Sequence, residues 1–593
     1  MYLSQLKLWN FRQFGSNDFN LSEPSLTVNF KNGLNVLIGK NDSGKSAIID
    51  AIKLVLKTHS VEWIAPYNDD FHRESKKFRI ELRFDDFTDD EAKYFTEWLS
   101  WEGEGDDAKV FLRVIYHVEK PFEHILPTDV RAGIDDIGYP LTAEAREQLK
   151  VTYLRPLRDA ANELIPRKDS RLSKIFYGHE AFRGKEKDHA LISNLDDFCK
   201  SIESFFVDDA SGKVMKDTIG EYIKSFCDDS KEIGLTSFGR GNLRGILEKL
   251  ELSVTNEINL GLGTQNRLFM ASELLHLEKS NWEGLRLGLI EELEAHLHPQ
   301  AQMKVVESLQ KRGNNIQLIL TTHSPNLASK VKLENIIVCN NGNAFPLGKD
   351  YTELEEKDYK FLEKFLDVTK SNLFFAKGVI LVEGWAEEIL IPSLAKNLGF
   401  DLTKFGVSIV NVGSVALLNY SKIFLRKDSQ EMNIPVSIIT DVDVREYEKT
   451  PELDDEGKPK KDANNKVVYE YIKFDEADIK TASTKKITER KTHFENQKVK
   501  AFFAPNWTLE FSISKSVSLS GYFQEVVKDI HSGTNWNDDF EKELAKKLLN
   551  KGLEKTEIAY QLAQKLDDSD ALTIEKTDSI YYLVEAIKYA CGH

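Results

Sequence analysis

The stretch that most limits how this chain can fold runs from Gly39 to Ser46. It reads Gly39-Lys40-Asn41-Asp42-Ser43-Gly44-Lys45-Ser46, a complete G-x-x-x-x-G-K-S. An apolar run, Leu34-Asn35-Val36-Leu37-Ile38, precedes it, and an amphipathic stretch from Ala47 to Leu56 follows. Strand, glycine turn and helix in that order form an α/β phosphate cradle. Backbone N–H groups around Gly39, Asn41 and Gly44 and the helix N-terminus would face the phosphates. Lys45 would reach the β/γ-phosphates, and Ser46 the Mg²⁺. A chance glycine turn is the plain alternative, and eight matching positions in the right setting argue against it. The expected ligand is ATP.

The totals set wide bounds. At 593 residues the length suggests about three or four domains. No run of eighteen apolar residues occurs, so no membrane span is expected. The segment Met1-Tyr2-Leu3-Ser4-Gln5-Leu6-Lys7 lacks a secretory pattern, which makes the expected location cytoplasmic. Cys199, Cys227, Cys339 and Cys591 are too scattered for a disulfide framework or a cysteine zinc site. A net charge of -17 argues against a protein that coats DNA. It leaves a nuclease open, since a metal site is itself acidic.

Residues 1–38 alternate apolar and polar, as do Phe78–Phe84 and Val110–Tyr116, so strands are expected there. From about 141 to 250 the pattern reads as helical, opening at Leu154-Arg155-Pro156-Leu157-Arg158-Asp159, with many lysines and arginines. A solvated face and a dimerisation arm or DNA-facing patch explain those charges equally well. Gly261-Leu262-Gly263-Thr264-Gln265-Asn266 then leads into a helix from Arg267. Leu285–Ile290 reads as a buried strand ending in Glu291-Glu292, and Glu294-Ala295-His296-Leu297-His298-Pro299 turns away. Two adjacent carboxylates at a strand end suit a Mg²⁺ shell and the polarisation of a water. Ile316–Leu320 ends in Thr321-Thr322-His323-Ser324-Pro325.

This ordered series resembles the ATP-binding-cassette heads of the SMC, RecF and Rad50 type. The resemblance implies that Gly263 and Thr264 act on the nucleotide of a neighbouring subunit. It also implies that Glu291 holds metal, Glu292 is the general base of hydrolysis and His323 contacts the γ-phosphate. Glu291 stands where many members have Asp, Leu293 where many have Pro, and the usual Ser-Gly-Gly is missing.

A second site follows a charged connector, 351–370. Val379-Ile380-Leu381-Val382 ends in Glu383-Gly384-Trp385-Ala386-Glu387, and Val407–Val412 leads to Gly413-Ser414. Pro435–Thr440 ends in Asp441-Val442-Asp443. In a strand-like D-x-D both side chains would point to one face. Clustered carboxylates repel one another unless a cation neutralises them, and hard oxygen ligands select Mg²⁺ or Mn²⁺. The polar stretch 445–500 opens as a flexible loop, and its later Lys485-Lys486 and Arg490-Lys491 either touch phosphates or, on the plainer reading, are solvated. Asn506-Trp507-Thr508-Leu509-Glu510-Phe511 restores apolar character around one acid, and the tail from 516 reads as helical.

The series E-G-x-x-E, Gly-Ser, D-x-D at successive strand ends resembles the Toprim fold. An ABC-type ATPase ahead of Toprim in one chain is similar to the OLD (overcoming lysogenization defect) family, which includes the Gabija nuclease subunit and retron-associated nucleases. The resemblance implies an ATPase domain over 1–350 with its helical insertion at about 141–250, and a linker helix at 351–370. A Toprim nuclease domain over 371–515 and a helical C-terminal part over 516–593 would follow. It further implies that Glu383, Glu387, Asp441, Asp443 and Glu510 bind metal and that Lys555 stabilises the transition state. The expected activity is metal-dependent DNA cleavage under nucleotide control in antiphage defence, by a homo-oligomer that is at least a dimer. Relatives act alone, beside a UvrD-like helicase, or with a retron reverse transcriptase and its RNA–DNA product. The alternative is an ATP-dependent sensor or structural protein with a non-cleaving Toprim platform.

Overall fold

The computed structural model describes every residue except 60–62, 105–107, 123, 156–165, 169, 180, 227–241, 255–260, 278–283, 296, 313–315, 414–416, 429, 456, 463 and 537–538. Pro156–Asp159, His296 and Ser414, singled out above, lie outside the described residues. The chain divides into two compact units: Met1–Asn35 with Ser46–Thr321, and Val36–Lys45 with Thr322–His593.

The first unit begins with β1 (Tyr2–Trp9) and β2 (Leu26–Asn29), and then β3 (Leu34–Ile38) carries the chain into the second. β4 (Lys77–Asp85), β5 (Leu99–Glu102), β6 (Lys109–Glu119), β7 (Arg131–Ala132) and β8 (Tyr139–Pro140) follow. They form an antiparallel sheet in the order β2-β1-β4-β6-β7-β8, with β5 on β6. The period-two pattern works as the sequence predicts. Phe78, Ile80, Leu82 and Phe84 of β4 are wholly buried, and Lys77, Arg79, Glu81 and Arg83 fall on the opposite face.

β9 (Thr152–Leu154), β10 (Leu287–Ile290) and β11 (Gln317–Thr322) pair in parallel. β9 corrects the sequence reading, which opens a helical region at Leu154. Three residues are too few to show a period, but Val151-Thr152-Tyr153-Leu154 is β-branched and aromatic, and pairing with β10 makes it a strand. Helices at Ala190–Asp208 and Ala210–Phe226 agree with the helical reading among the described residues of this stretch.

In the second unit, β3 pairs in parallel with β12 (Ile336–Asn340), which turns back through β13 (Asn343–Pro346). A separate parallel sheet holds β14 (Gly378–Val382), β15 (Val407–Asn411) and β16 (Val436–Asp441). A hairpin of β17 (Tyr447–Pro451) and β18 (Tyr469–Lys473) and a helix at Glu476–Phe494 separate β16 from β19 (Val499–Ala504). The order is β15-β14-β16-β19. Every residue of β14 is buried, as a strand covered on both faces must be. One cover is the helix Tyr581–Ala590. It lies so close to β14 that a Cβ on Gly378 would sit 1.9 Å from the Ala590 carbonyl oxygen, so glycine is required there. The helix Lys555–Asp567 buries Ile558, Ala559, Leu562, Ala563 and Leu566, a stripe at i, i+1, i+4, i+5, i+8. That stripe packs on Trp385–Asn397, and the C-terminal helices share one core with the sheet.

Candidate active site

The acids sit where apolar segments stop. β14 ends at Val382, so Glu383 is the first residue beyond the strand. Gly384 caps the helix Trp385–Asn397 and puts Glu387 in its first turn. β16 ends on Asp441 itself. Thr508 caps the helix Leu509–Ser514, its hydroxyl accepting from the Phe511 N–H at 3.3 Å, and puts Glu510 in the first turn. A carboxylate in a first turn faces the positive end of the helix dipole. Lys555 opens its helix, and packing on Trp385–Asn397 brings it to the acids.

Lys555 Nζ lies 2.9 Å from Glu510 Oε2, and the Thr508 hydroxyl donates to the same oxygen at 2.9 Å. Glu510 is buried. Burial, then the Glu510 and Glu387 charges, push the Asp441 carboxyl well above its usual range against the pull of Lys555. Burial, followed by Glu510 and Glu383, brings Glu387 up to about 7. Glu383 is raised by burial and by Asp443, while a hydrogen bond from the Thr440 hydroxyl holds it down. Burial would lower the Lys555 ammonium, yet Glu510, Asp441 and Glu387 outweigh it and raise the pKa. Glu383, Glu387, Asp441, Glu510 and Lys555 therefore form one interacting cluster.

Asp443 corrects the expectation of a strand-like D-x-D. The strand stops at Asp441, and Asp443 has φ 50°, with its N–H bound to the Trp507 carbonyl at 3.0 Å. Its side chain is exposed and turns to Arg490. Arg490 Nη1 donates to the Asp441 carbonyl oxygen at 2.6 Å and Nη2 to Asp443 Oδ2 at 3.0 Å. Lys486 Nζ donates to the Asp443 carbonyl at 3.1 Å. The sequence reading preferred solvation to phosphate contact for both cations and did not foresee their meeting with Asp443. The missed signal is their i, i+4 spacing on a helix announced by Asp475, which caps Ala477 and Asp478.

Among the described residues no three His, Cys, Asp or Glu side chains close on a common point as a ligand set. The donor chemistry nevertheless fits a hard divalent cation, since four carboxylates share a desolvated space and repel one another. A stability test follows. Because the folded pKa of Glu387 is raised from 4.5 to about 7, its contribution is fully present below 4.5 and lost as pH rises through 7. In EDTA, calorimetric Tm should fall over that interval, and Glu387→Gln should flatten the fall. An unchanged slope in the variant would remove Glu387 from the cluster.

In the P-loop, Gly39 has φ 150°, and a Cβ there would lie 2.4 Å from the Cys339 carbonyl oxygen. Lys45 Nζ donates to the Gly39 and Lys40 carbonyls at 2.8 and 2.7 Å. Asn41 is exposed and Gly44 has φ 98°. Within the first unit Ser46 and the Tyr153 hydroxyl, the latter at 2.8 Å, bond to the buried Glu291 carboxylate and lower its pKa against the larger effect of burial. Glu292 sits at φ 44°, its N–H held by Thr321 Oγ1 at 3.1 Å. Gly263 and Thr264 fall in the first turn of the helix Leu262–Leu277, which starts five residues earlier than the sequence suggests. His323 is exposed, in the second unit.

Residues 374–443 match the family model for the TOPRIM domain of overcoming lysogenization defect-like proteins. The chain carries an OLD-like TOPRIM domain. The match includes Glu383, Glu387, Asp441 and Asp443 and stops short of Glu510 and Lys555, which the fold brings to the TOPRIM acids. Residues 34–329 match the AAA-domain model whose description links it to the AbiEii toxin of a Type IV TA system. This stretch includes the P-loop, Gly263, Thr264, Glu291, Glu292 and His323, so an ATPase domain precedes the TOPRIM domain. The chain is 24% identical to endonuclease GajA of Bacillus cereus (strain HuB5-5), covering 75% of this chain and 77% of that one. It is 22% identical to the OLD nuclease of Thermus scotoductus, covering 79% and 87%. Septu protein PtuA of Bacillus mycoides is 24% identical over 55% of this chain and 38% of its own.

Proposed function

We propose that this chain is a nucleotide-regulated, divalent-metal-dependent DNA endonuclease of antiphage defence. The observation that carries the reading is the meeting of Glu383, Glu387, Asp441 and Glu510 around Lys555. Relatives named endonuclease GajA, OLD nuclease and Septu protein support it. Glu383, Glu387, Asp441 and Glu510 would hold Mg²⁺ or Mn²⁺, which when bound supplies Lewis-acid charge and a more acidic water, and Asp443 would join them on leaving Arg490. Lys555 stabilises negative charge developing on the phosphate, and its place among carboxylates keeps it protonated. Arg490 and Lys486, at the outer rim beside Asp443, orient the DNA backbone by charge-assisted bonds.

Nucleotide at the P-loop controls access to these acids, with Ser46 and Glu291 on its Mg²⁺, Glu292 activating water and His323 on the γ-phosphate. Gly263 and Thr264 act on a neighbouring copy in a homo-oligomer of at least two chains. The chain would act alone or beside a partner defence protein, a helicase or a reverse transcriptase with its nucleic acid.

The test is plasmid nicking with Mg²⁺ or Mn²⁺ beside phosphate release from ATP. Glu292→Gln should lose ATP hydrolysis by at least about a hundredfold, as removal of a general base does, and keep a nuclease centre that still cuts when nucleotide is bound. Hydrolysis at the parent rate in that variant would remove Glu292 from the base role. No cutting by the parent chain under any divalent ion would leave the sensor reading in place.

A further inference from the structure

Asp443 is the one acid of the TOPRIM pattern that stands apart from the cluster, and a single guanidinium engages it. Arg490 Nη2 donates to Asp443 Oδ2, while Nη1 of the same side chain donates to the Asp441 carbonyl oxygen. The backbone of Asp443 is pinned on both sides. Its N–H donates to the Trp507 carbonyl at 3.0 Å, and its own carbonyl accepts from Lys486 Nζ at 3.1 Å. With φ fixed at 50° in this way, the carboxylate can be moved by side-chain rotation alone. The distance to the other acids is short, since the Asp443 charge already acts on Glu383.

These contacts set two cations, Arg490 and Lys486, against one exposed acid. Lys486 spends its bond on a carbonyl, and burial followed by Arg490 lowers its pKa while Asp443 raises it. A second anion is therefore welcome at this edge. The Arg490 and Asp443 side chains are 31% and 52% exposed and share one hydrogen bond. Such an ion pair contributes little to stability, whereas a phosphate can take both Nη groups of an arginine at once.

We propose that Arg490 is a positioning residue: it holds the Asp443 carboxylate outward until a DNA phosphate takes its guanidinium, so that duplex DNA and the divalent ion bind cooperatively, an inference that rests on the TOPRIM acids being a metal centre. Phosphate on Arg490 frees Asp443 to rotate towards Glu383 and join the ligand set. Lys486 keeps the Asp443 backbone in place meanwhile. One exposed ion pair is exchanged for a phosphate contact and a further metal ligand. Linkage then works in both directions, and the ion tightens DNA binding by the same factor.

Electron paramagnetic resonance, which counts free Mn²⁺, reads this coupling in a titration of the full chain without nucleotide. A phosphorothioate duplex keeps the backbone charge and resists cutting, and its own uptake of Mn²⁺ is subtracted. The duplex should tighten Mn²⁺ binding to the parent about tenfold, an ordinary size for coupled sites. Arg490→Met, which keeps the aliphatic stem, should bind Mn²⁺ about tenfold more tightly than the parent without DNA, and the duplex should then add about twofold at most. Loss of any nearby cation favours a metal, so the substitution is repeated in Asp443→Asn. There Arg490→Met should shift the affinity only about twofold, because no carboxylate remains to be released. A parent-like Tm checks that each variant is folded. An equal shift in the two backgrounds, or parent binding unmoved by the duplex, overturns the coupling. Mn²⁺ binding by Asp441→Ala equal to that of the parent would instead remove the metal centre, and the coupling with it.

Discussion

Asp441→Ala should reduce metal-dependent nicking of plasmid DNA by more than about a hundredfold, since even the outer partners of metal ligands typically contribute ten- to a hundredfold. Asp441 ends β16 and faces Glu510, Glu387, Lys555 and Glu383. In the proposed centre, losing it would remove one carboxylate ligand from the cluster, so a divalent ion would be held less tightly and its water would be less acidic. The same loss leaves Lys555 with fewer carboxylates, and its pKa should come down. ATP binding should stay at the parent level. Parent-like nicking by the variant would disprove the nuclease assignment and leave the sensor reading.

Lys45→Ala should weaken ATP binding by about 1.5–3 kcal/mol or more, the usual contribution of a hydrogen bond to a charged group. In the structure Lys45 bonds to the Gly39 and Lys40 carbonyls, so its ammonium already sits at the turn that would enclose phosphate. Isothermal titration is the measurement, and unchanged affinity would sink the P-loop assignment. Any change in metal-dependent cutting by this variant should come through the lost nucleotide control, since the TOPRIM carboxylates and Lys555 are all retained.

The elements that announce themselves locally were legible from the chain. The P-loop is a contiguous pattern, and Glu383 and Asp441 end largely apolar runs, so a strand end predicts their place. Lys555 was reached through resemblance, because its role depends on an apolar stripe docking onto Trp385–Asn397, a contact that no local pattern encodes. Asp443 was expected to continue the strand, and a positive φ three residues beyond Thr440 cannot be read from D-x-D. Arg490 and Lys486 were hidden for the opposite reason. Charges on an exposed helix look solvated until the fold shows what they face. β9 shows the same limit in a strand, since three residues acquire their structure from the neighbour they pair with.

The position of Lys555 also sets an order of events at the ribosome. Glu383, Glu387 and Asp441 leave the exit tunnel well before the helix Lys555–Asp567 exists, and chains fold broadly from the N-terminus as they emerge. Until that helix docks, the acids lack both their cation and the apolar cover supplied by Ile558, Leu562 and Leu566. A half-made chain therefore holds an unfinished cutting centre.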